Sequence, residues 1–324
     1  MKVCILGSGA YGIALGTIVN KNKHNLTMWT RSEEECRVLN ETHISKKMPE
    51  FKIPNDMNFI TDFGEAVKDK DLIIIAVPAF AFDDISKKLS KVLKNKQHVL
   101  IATKGIQQET CLFLTDVFYK YNKNKHLAVI SGPTFASDII KEVPIGFALG
   151  TKSSKTADVV IKTLKNKNTK LRRTRDVIGV ELCGAIKNVL AIAAGILGGM
   201  DISDSTKALF LTESLNDVKE LIKALGGNKK SILSFEGFGD ILMTCTSTTS
   251  RNYSFGLLIG KGASQKEIDE YLESTTVEGM YTLKSIHKLI RNKKVKIPII
   301  NLIYDIILKE KEKETLLKFL IEKE

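Results

Sequence analysis

The first half of the chain alternates short, nearly unbroken apolar runs with stretches of amphipathic spacing. The runs are KVCILG (2–7), NLTMWT (25–30), DLIIIAV (71–77), HVLIAT (98–103) and LAVISG (127–132). Helical spacing lies between most of them, as in YGIALGTIVNKN and DDISKKLSKVLKN. Runs that are apolar at successive positions, alternating with helices, predict a parallel sheet covered on both faces. PIGFALG (144–150) and TKLRRTRD (169–176) read as extensions of that sheet.

From about Glu181 the period changes. ELCGAIKNVLAIAAGIL, STKALFLTESLNDVKELIKAL, SQKEIDEYLES, GMYTLKSIHKLIRNKK and PIINLIYDIILKEKEKETLLKFLIEK all carry helical spacing. Strand signals nearly vanish. The pattern predicts a doubly wound α/β domain over 1–178 and an all-α domain over 179–324.

Composition adds bounds rather than chemistry. An apolar share of 43% and a charged share of 27% over 324 residues are those of an ordinary globular chain with room for two cores. The net charge of +12 points to nucleic acid, an anionic membrane or an anionic small ligand. The lysines are scattered, in pairs such as Lys46-Lys47, Lys87-Lys88 and Lys229-Lys230, and no stretch interleaves them with aromatics. A base-stacking platform is therefore not expected, and most of the charge reads as a solvated surface. Cys4, Cys36, Cys111, Cys183 and Cys245 are odd in number, far apart and free of any CxxC pair. Neither a metal site nor a disulfide framework is expected, and a reducing cytoplasm is. The chain enters its first strand directly, so no signal peptide is expected. Its longest apolar stretches, DLIIIAVPAFAF and NVLAIAAGILGGM, fall short of the roughly 18–20 residues of a membrane span, so no stable insertion is expected.

Chemistry first enters at Gly7-x-Gly9-x-x-Gly12, which follows a strand and opens a helix. That context gives the glycine pattern its meaning as a Rossmann-like dinucleotide turn. Gly7 permits the turn, Gly9 lets the backbone approach a pyrophosphate, and Gly12 allows close helix–strand packing. An acid about 20 residues further on would bind a ribose 2′-hydroxyl. The second strand instead ends at Arg31, followed by Ser32, Glu33, Glu34 and Glu35. Arg31 is either a partner for a 2′-phosphate, which admits NADP, or an exposed loop residue. The three acids read as the start of the next helix.

In the second half, Lys187 falls among Leu182, Ala185, Ile186, Val189 and Leu190. A lysine there either exchanges protons near neutrality, through lost hydration, or snorkels at a helix edge. Asp240 follows Gly237-Phe238-Gly239 and either caps a helix or orients a lysine. Ser250-Arg251-Asn252 sets a hydroxyl, a guanidinium and an amide side by side, a set suited to phosphate or carboxylate. His24, His43, His98, His126 and His287 sit in no motif.

Taken in order, GSGAYGIALG, AVPAFAF, ATKGI, SGPTFA, ELCGAIKNV, GFGDILMTCTSTTSRNYSFG, VEG and KIPIINLIYDIIL resemble the bacterial-type NAD(P)-dependent glycerol-3-phosphate dehydrogenases along nearly the whole chain. The resemblance implies interconversion of dihydroxyacetone phosphate and sn-glycerol 3-phosphate with NAD or NADP, by a cytoplasmic homodimer that supplies glycerol 3-phosphate for phospholipid synthesis. It implies that Lys187 is the general acid/base and Asp240 its carboxylate partner. Lys104, Gly132, Thr134, Ser250, Arg251 and Asn252 would contact substrate. Gly7, Gly9, Ala10, Tyr11, Gly12, Arg31, Lys104, Ala136, Arg251 and Glu278 would contact the cofactor. Two departures stand out. Ala10 replaces a common Ser, and Asp204-Ser205-Thr206-Lys207 stands where the family reads Asp-Asn-x-Arg. Asp204 is expected to polarise Lys187. The competing readings are a 3-hydroxyacid dehydrogenase or ketopantoate-type reductase on the same architecture, a non-catalytic NADP(H)-binding redox sensor, and a nucleic-acid binder.

Overall fold

The computed structural model describes residues 1–322. The chain divides into two compact units, one of residues 1–104 and 114–177, the other of 105–113 and 178 onward. Residues 105–113 thus leave the α/β stretch in which they are embedded and pack with the helical unit.

The strands among the described residues are β1 (Lys2–Leu6), β2 (Asn25–Trp29), β3 (Ile44–Ser45), β4 (Met48–Lys52), β5 (Asn58–Ile60), β6 (Leu72–Ile75), β7 (His98–Ile101), β8 (Leu127–Ser131), β9 (Ile145–Gly150) and β10 (Thr169–Thr174). Eight of them form one sheet in the order β10-β9-β8-β7-β6-β1-β2-β5, while β3 and β4 form a separate antiparallel hairpin. β1 pairs in parallel with both β2 and β6. The order therefore reverses at β1, and a sheet of this kind binds its ligand beyond the carboxyl end of the strand at that reversal. Strands such as LIII of β6 are buried at every position, as a sheet covered on both faces requires.

The sheet is not wholly parallel. β9 runs antiparallel to β8, with Val129 opposite Gly150 and Ser131 opposite Ala148. The connection over 132–144 holds only a five-residue helix, Ala136–Ile140. It returns the chain along the same edge rather than crossing over a face, since parallel neighbours need a longer crossover. β5 also goes beyond the pattern: three residues, NFI, are too short to signal a strand until β2 pairs with them.

In the helical unit, the helix Val177–Gly199 is buried continuously from Gly179 to Leu197. Among the described residues only this helix is long and apolar enough to cross a membrane. It exceeds the apolar lengths read from the sequence, and its residues form the unit's own core. Helix Arg251–Lys261 packs against it with the two backbones almost touching. A Cβ on Gly195 would fall on the carbonyl oxygen of Tyr253, and one on Gly256 on that of Ile192. Asp217, in helix Asp204–Ala224, accepts the backbone N–H of Ile300 at 3.0 Å and so caps helix Pro298–Leu308 from inside the core.

This seam is the constraint most easily tested. Gly256→Ala must push apart two backbones that have no flexible side chain to yield. We expect a loss of more than about 2 kcal/mol in unfolding free energy, read from urea denaturation.

Candidate active site

The glycine turn leaves β1 at the reversal point. Gly7 has φ +119°, and a Cβ there would come within 2.6 Å of the Ala76 carbonyl oxygen. A Cβ on Gly12 would fall on the carbonyl oxygen of Gly7. A Cβ on Gly9 would meet nothing within 4 Å. The first and third glycines are therefore demanded by packing, whereas the second faces open space. Ala10 and Tyr11 begin the helix Ala10–Lys21, whose first turn has neither an acid nor a side-chain cap. Its leading amides and positive dipole end are left for an anion. This cradle fits the pyrophosphate of a dinucleotide.

Four residues from three separate stretches of the chain meet in the same unit. Lys104 Nζ donates to the Gly132 carbonyl at 2.9 Å and lies 5.9 Å from the centroid of the Tyr11 ring. Tyr11 Oη is 3.3 Å from Thr134 Oγ1, which donates to the same Gly132 carbonyl at 3.3 Å. Gly132 is packed so closely on the carbonyl of Gly146 that it has no room for a side chain. Ala136 opens the helix Ala136–Ile140, and Arg31 is exposed just beyond the tip of β2.

In the helical unit Lys187 is 6% exposed and Asp240 fully buried. Lys187 Nζ donates to Asp240 Oδ1 at 2.6 Å and to Thr244 Oγ1 at 3.1 Å. Thr244 donates to the Asp240 carbonyl at 2.6 Å, one helical turn back. Lys187 is thus no snorkelling edge residue, and the Asp240 side chain does not cap its helix, Asp240–Cys245. An ammonium in such a core needs a paired carboxylate, or its desolvation is uncompensated. Asp204 is not that carboxylate. Its side chain is fully exposed and pairs with Lys207 Nζ at 3.2 Å, because the first turn of a surface helix points both into solvent. The neighbouring Cys245 thiol is pushed well up by burial, against the opposing pull of Lys187.

Ser250, Arg251 and Asn252 stand at the start of helix Arg251–Lys261. Ser250 Oγ accepts the Tyr253 N–H at 3.3 Å as the cap. Asn252 is buried, accepting the Gly279 N–H at 2.8 Å and donating to Asn188 Oδ1 at 3.1 Å. It therefore ties three helices together. Arg251 is exposed, and Glu278, one residue before Gly279, feels its charge. Burial pushes the Glu278 carboxyl above the usual range, with Arg251 pulling it back. Asn188 and Thr244 escaped the sequence reading. Their signals were a polar residue beside Lys187 and a hydroxyl four positions after Asp240.

A glycine-turn α/β unit followed by a helical unit with a buried lysine–aspartate pair defines a nicotinamide-dependent dehydrogenase. Residues 2–157 match the model of the NAD-dependent glycerol-3-phosphate dehydrogenase N-terminus, and residues 176–318 that of its C-terminus. The chain belongs to this family. It is 35% identical over 311 residues to a glycerol-3-phosphate dehydrogenase (NAD(P)+) of Thermoanaerobacter sp. (strain X514), covering 96% of this chain and 94% of that one. A protein of the same name from Leptospira biflexa serovar Patoc is 33% identical over 328 residues, covering 100% and 98%. The crystal structure of glycerol-3-phosphate dehydrogenase from Coxiella burnetii superposes with a TM-score of 0.92 at 26% identity, over 99% of both chains.

The glycines should separate by role. Gly9→Ala is expected to stay within about 1 kcal/mol of the wild type in stability, while losing affinity for NADH in a fluorescence titration. Gly12→Ala should cost more than about 2 kcal/mol in the same unfolding experiment.

Proposed function

We propose that this chain interconverts dihydroxyacetone phosphate and sn-glycerol 3-phosphate with NAD or NADP, using Lys187 as general acid/base. The observation that carries the reading is the buried Lys187–Asp240 pair at 2.6 Å. The 3-hydroxyacid dehydrogenase, ketopantoate reductase and redox-sensor readings are not favoured, since both halves of the chain match one family. The product serves phospholipid synthesis.

Gly7, Gly9, Ala10, Tyr11 and Gly12 hold the pyrophosphate, with Arg31 toward the adenosine. Lys104, Ala136, Arg251 and Glu278 complete the cofactor contacts. The bound nicotinamide supplies or accepts the hydride. In the reducing direction Lys187, as an ammonium, donates a hydrogen bond to the ketone oxygen of the substrate. As the carbon gains hydride, the oxygen gains charge and takes the proton from Nζ, giving the alcohol. Asp240 holds Nζ in place and compensates its charge before transfer, and Thr244 fixes its direction. In the oxidising direction neutral Lys187 removes the hydroxyl proton. Ser250, Arg251 and Asn252, with the leading amides of their helix, bind the phosphate remote from the reacting carbon, while Lys104, Gly132 and Thr134 bind the rest of the substrate. Remote phosphate binding orients the ketone and lowers the barrier.

The proposed setting is the cytoplasm, in keeping with five free cysteines. The proposed assembly is a homodimer, a reading supported by exposed Leu209, Leu233, Phe238 and Leu242 on the helical unit.

The test is NADH or NADPH oxidation with dihydroxyacetone phosphate. Lys187→Ala should lower kcat at least about a hundredfold. Because it strands a buried carboxylate, Lys187→Met/Asp240→Asn is the matched control for folding. That pair should fold and stay inactive. Near wild-type turnover by a folded Lys187 variant would refute the role.

A further inference from the structure

The strand tip that lacks an acid in sequence gains one in space. Glu35 lies in the first turn of helix Glu33–Thr42 and turns back toward β2. Its Oε2 accepts the Thr30 hydroxyl at 2.9 Å, and Thr30 Oγ1 in turn accepts the Ser8 hydroxyl at 2.9 Å. Ser8 sits between Gly7 and Gly9. A continuous line of hydrogen bonds therefore runs from Glu35 to the glycine turn, beside Arg31. In a turn of this type, that is the place where the adenosine ribose is read.

The other carboxylate oxygen is already matched. Glu35 Oε1 accepts from Lys47 Nζ at 2.8 Å, and Lys47 comes from the turn of the β3–β4 hairpin. Burial pushes the Glu35 carboxyl up, but Lys47, Thr30 and Ser8 outweigh it and hold the group below the usual range. Glu35 is therefore an anion at neutral pH. A ribose 2′-hydroxyl can donate to it, whereas a 2′-phosphate is repelled unless a cation intervenes. Lys47 is half-exposed, and a pair of that kind is weakly held and free to re-form around a stronger anion.

We propose that Glu35 selects against the 2′-phosphate of NADP(H) and that Lys47 relieves this selection, so that the pair sets the cofactor preference. The proposal rests on reading Gly7–Gly12 as the dinucleotide turn. It makes Arg31 one of two cations available to a 2′-phosphate, with Lys47 released from Glu35 as the second.

The test titrates NADH and NADPH against wild type, Glu35→Gln, Lys47→Ala and the double variant. Quenching of Trp29, the chain's single tryptophan and the residue before Thr30, reports binding without turnover. Lys47→Ala should weaken NADPH relative to NADH by about tenfold, and Glu35→Gln should shift the ratio by about tenfold the other way. In the Glu35→Gln background, Lys47→Ala should keep only the part of its effect that comes from pairing directly with the 2′-phosphate, and so shift the ratio less than it does alone. Lys47→Gln repeats the test if Lys47→Ala does not fold. Ratios within about twofold of wild type in both single variants, with both nucleotides still bound, would overturn the proposal alone. Failure of wild type to bind either nucleotide would overturn the dinucleotide reading and the proposal with it.

Discussion

An ammonium group placed inside an apolar helix cannot be left alone, and much of the helical unit follows from that. Lys187 lies in a helix buried from Gly179 to Leu197, and it has to bring its counter-charge with it. Asp240 supplies the charge, and Thr244, one turn further along, accepts a second of the three N–H donors. On another side of the Lys187 helix, Arg251–Lys261 approaches so closely that side chains are dispensed with where the two cross, at Gly195 and Gly256. The same approach carries Asn252 to Asn188, the residue after Lys187. The close seam thus fixes the residue next to Lys187, while the lysine itself is held by a separate helix.

The α/β unit solves a different problem. Its ligand is an anion, and it meets that anion with backbone rather than side chains. Gly7 and Gly12 bring strand and helix together, which leaves an uncapped helix start facing the space beyond Gly9. On the proposal made above, selectivity is added at the periphery, by Glu35 of the following helix and Lys47 of the β3–β4 hairpin. Binding strength and discrimination would then come from separate parts of the unit, so that one could change without disturbing the other.

Much of this was legible along the chain. β1, β2 and β6 to β9 were visible because each is an apolar run long enough to stand out, whereas β10, TKLRRT, was read only as an extension of the sheet they form. Lys187 and Asp240 were visible because a charge in an apolar helix and an acid after Gly-Phe-Gly break local expectation. What stayed hidden depends on partners. β5 is a strand only because β2 lies beside it, and β9 takes its direction from a connection too short to cross the sheet. Thr244 and Asn188 look like ordinary helix residues until a second helix approaches. Asp204 misled because a residue retained from the family's pattern says nothing about which way a surface turn faces. Glu35 was read as part of a helix start, and it is one. Its return to Thr30 has no linear signature.

Residues 105–113 carry a consequence of another kind. Ile106 and Phe113 belong to the core of the helical unit, yet the chain returns to the α/β unit at Leu114. The two units are therefore joined by three passages of chain rather than one. No single crossover between related genes exchanges one unit intact, because a break near residue 177 leaves part of the helical core encoded on the wrong side. Along the chain the halves are interleaved, so neither can be cut out as one continuous segment.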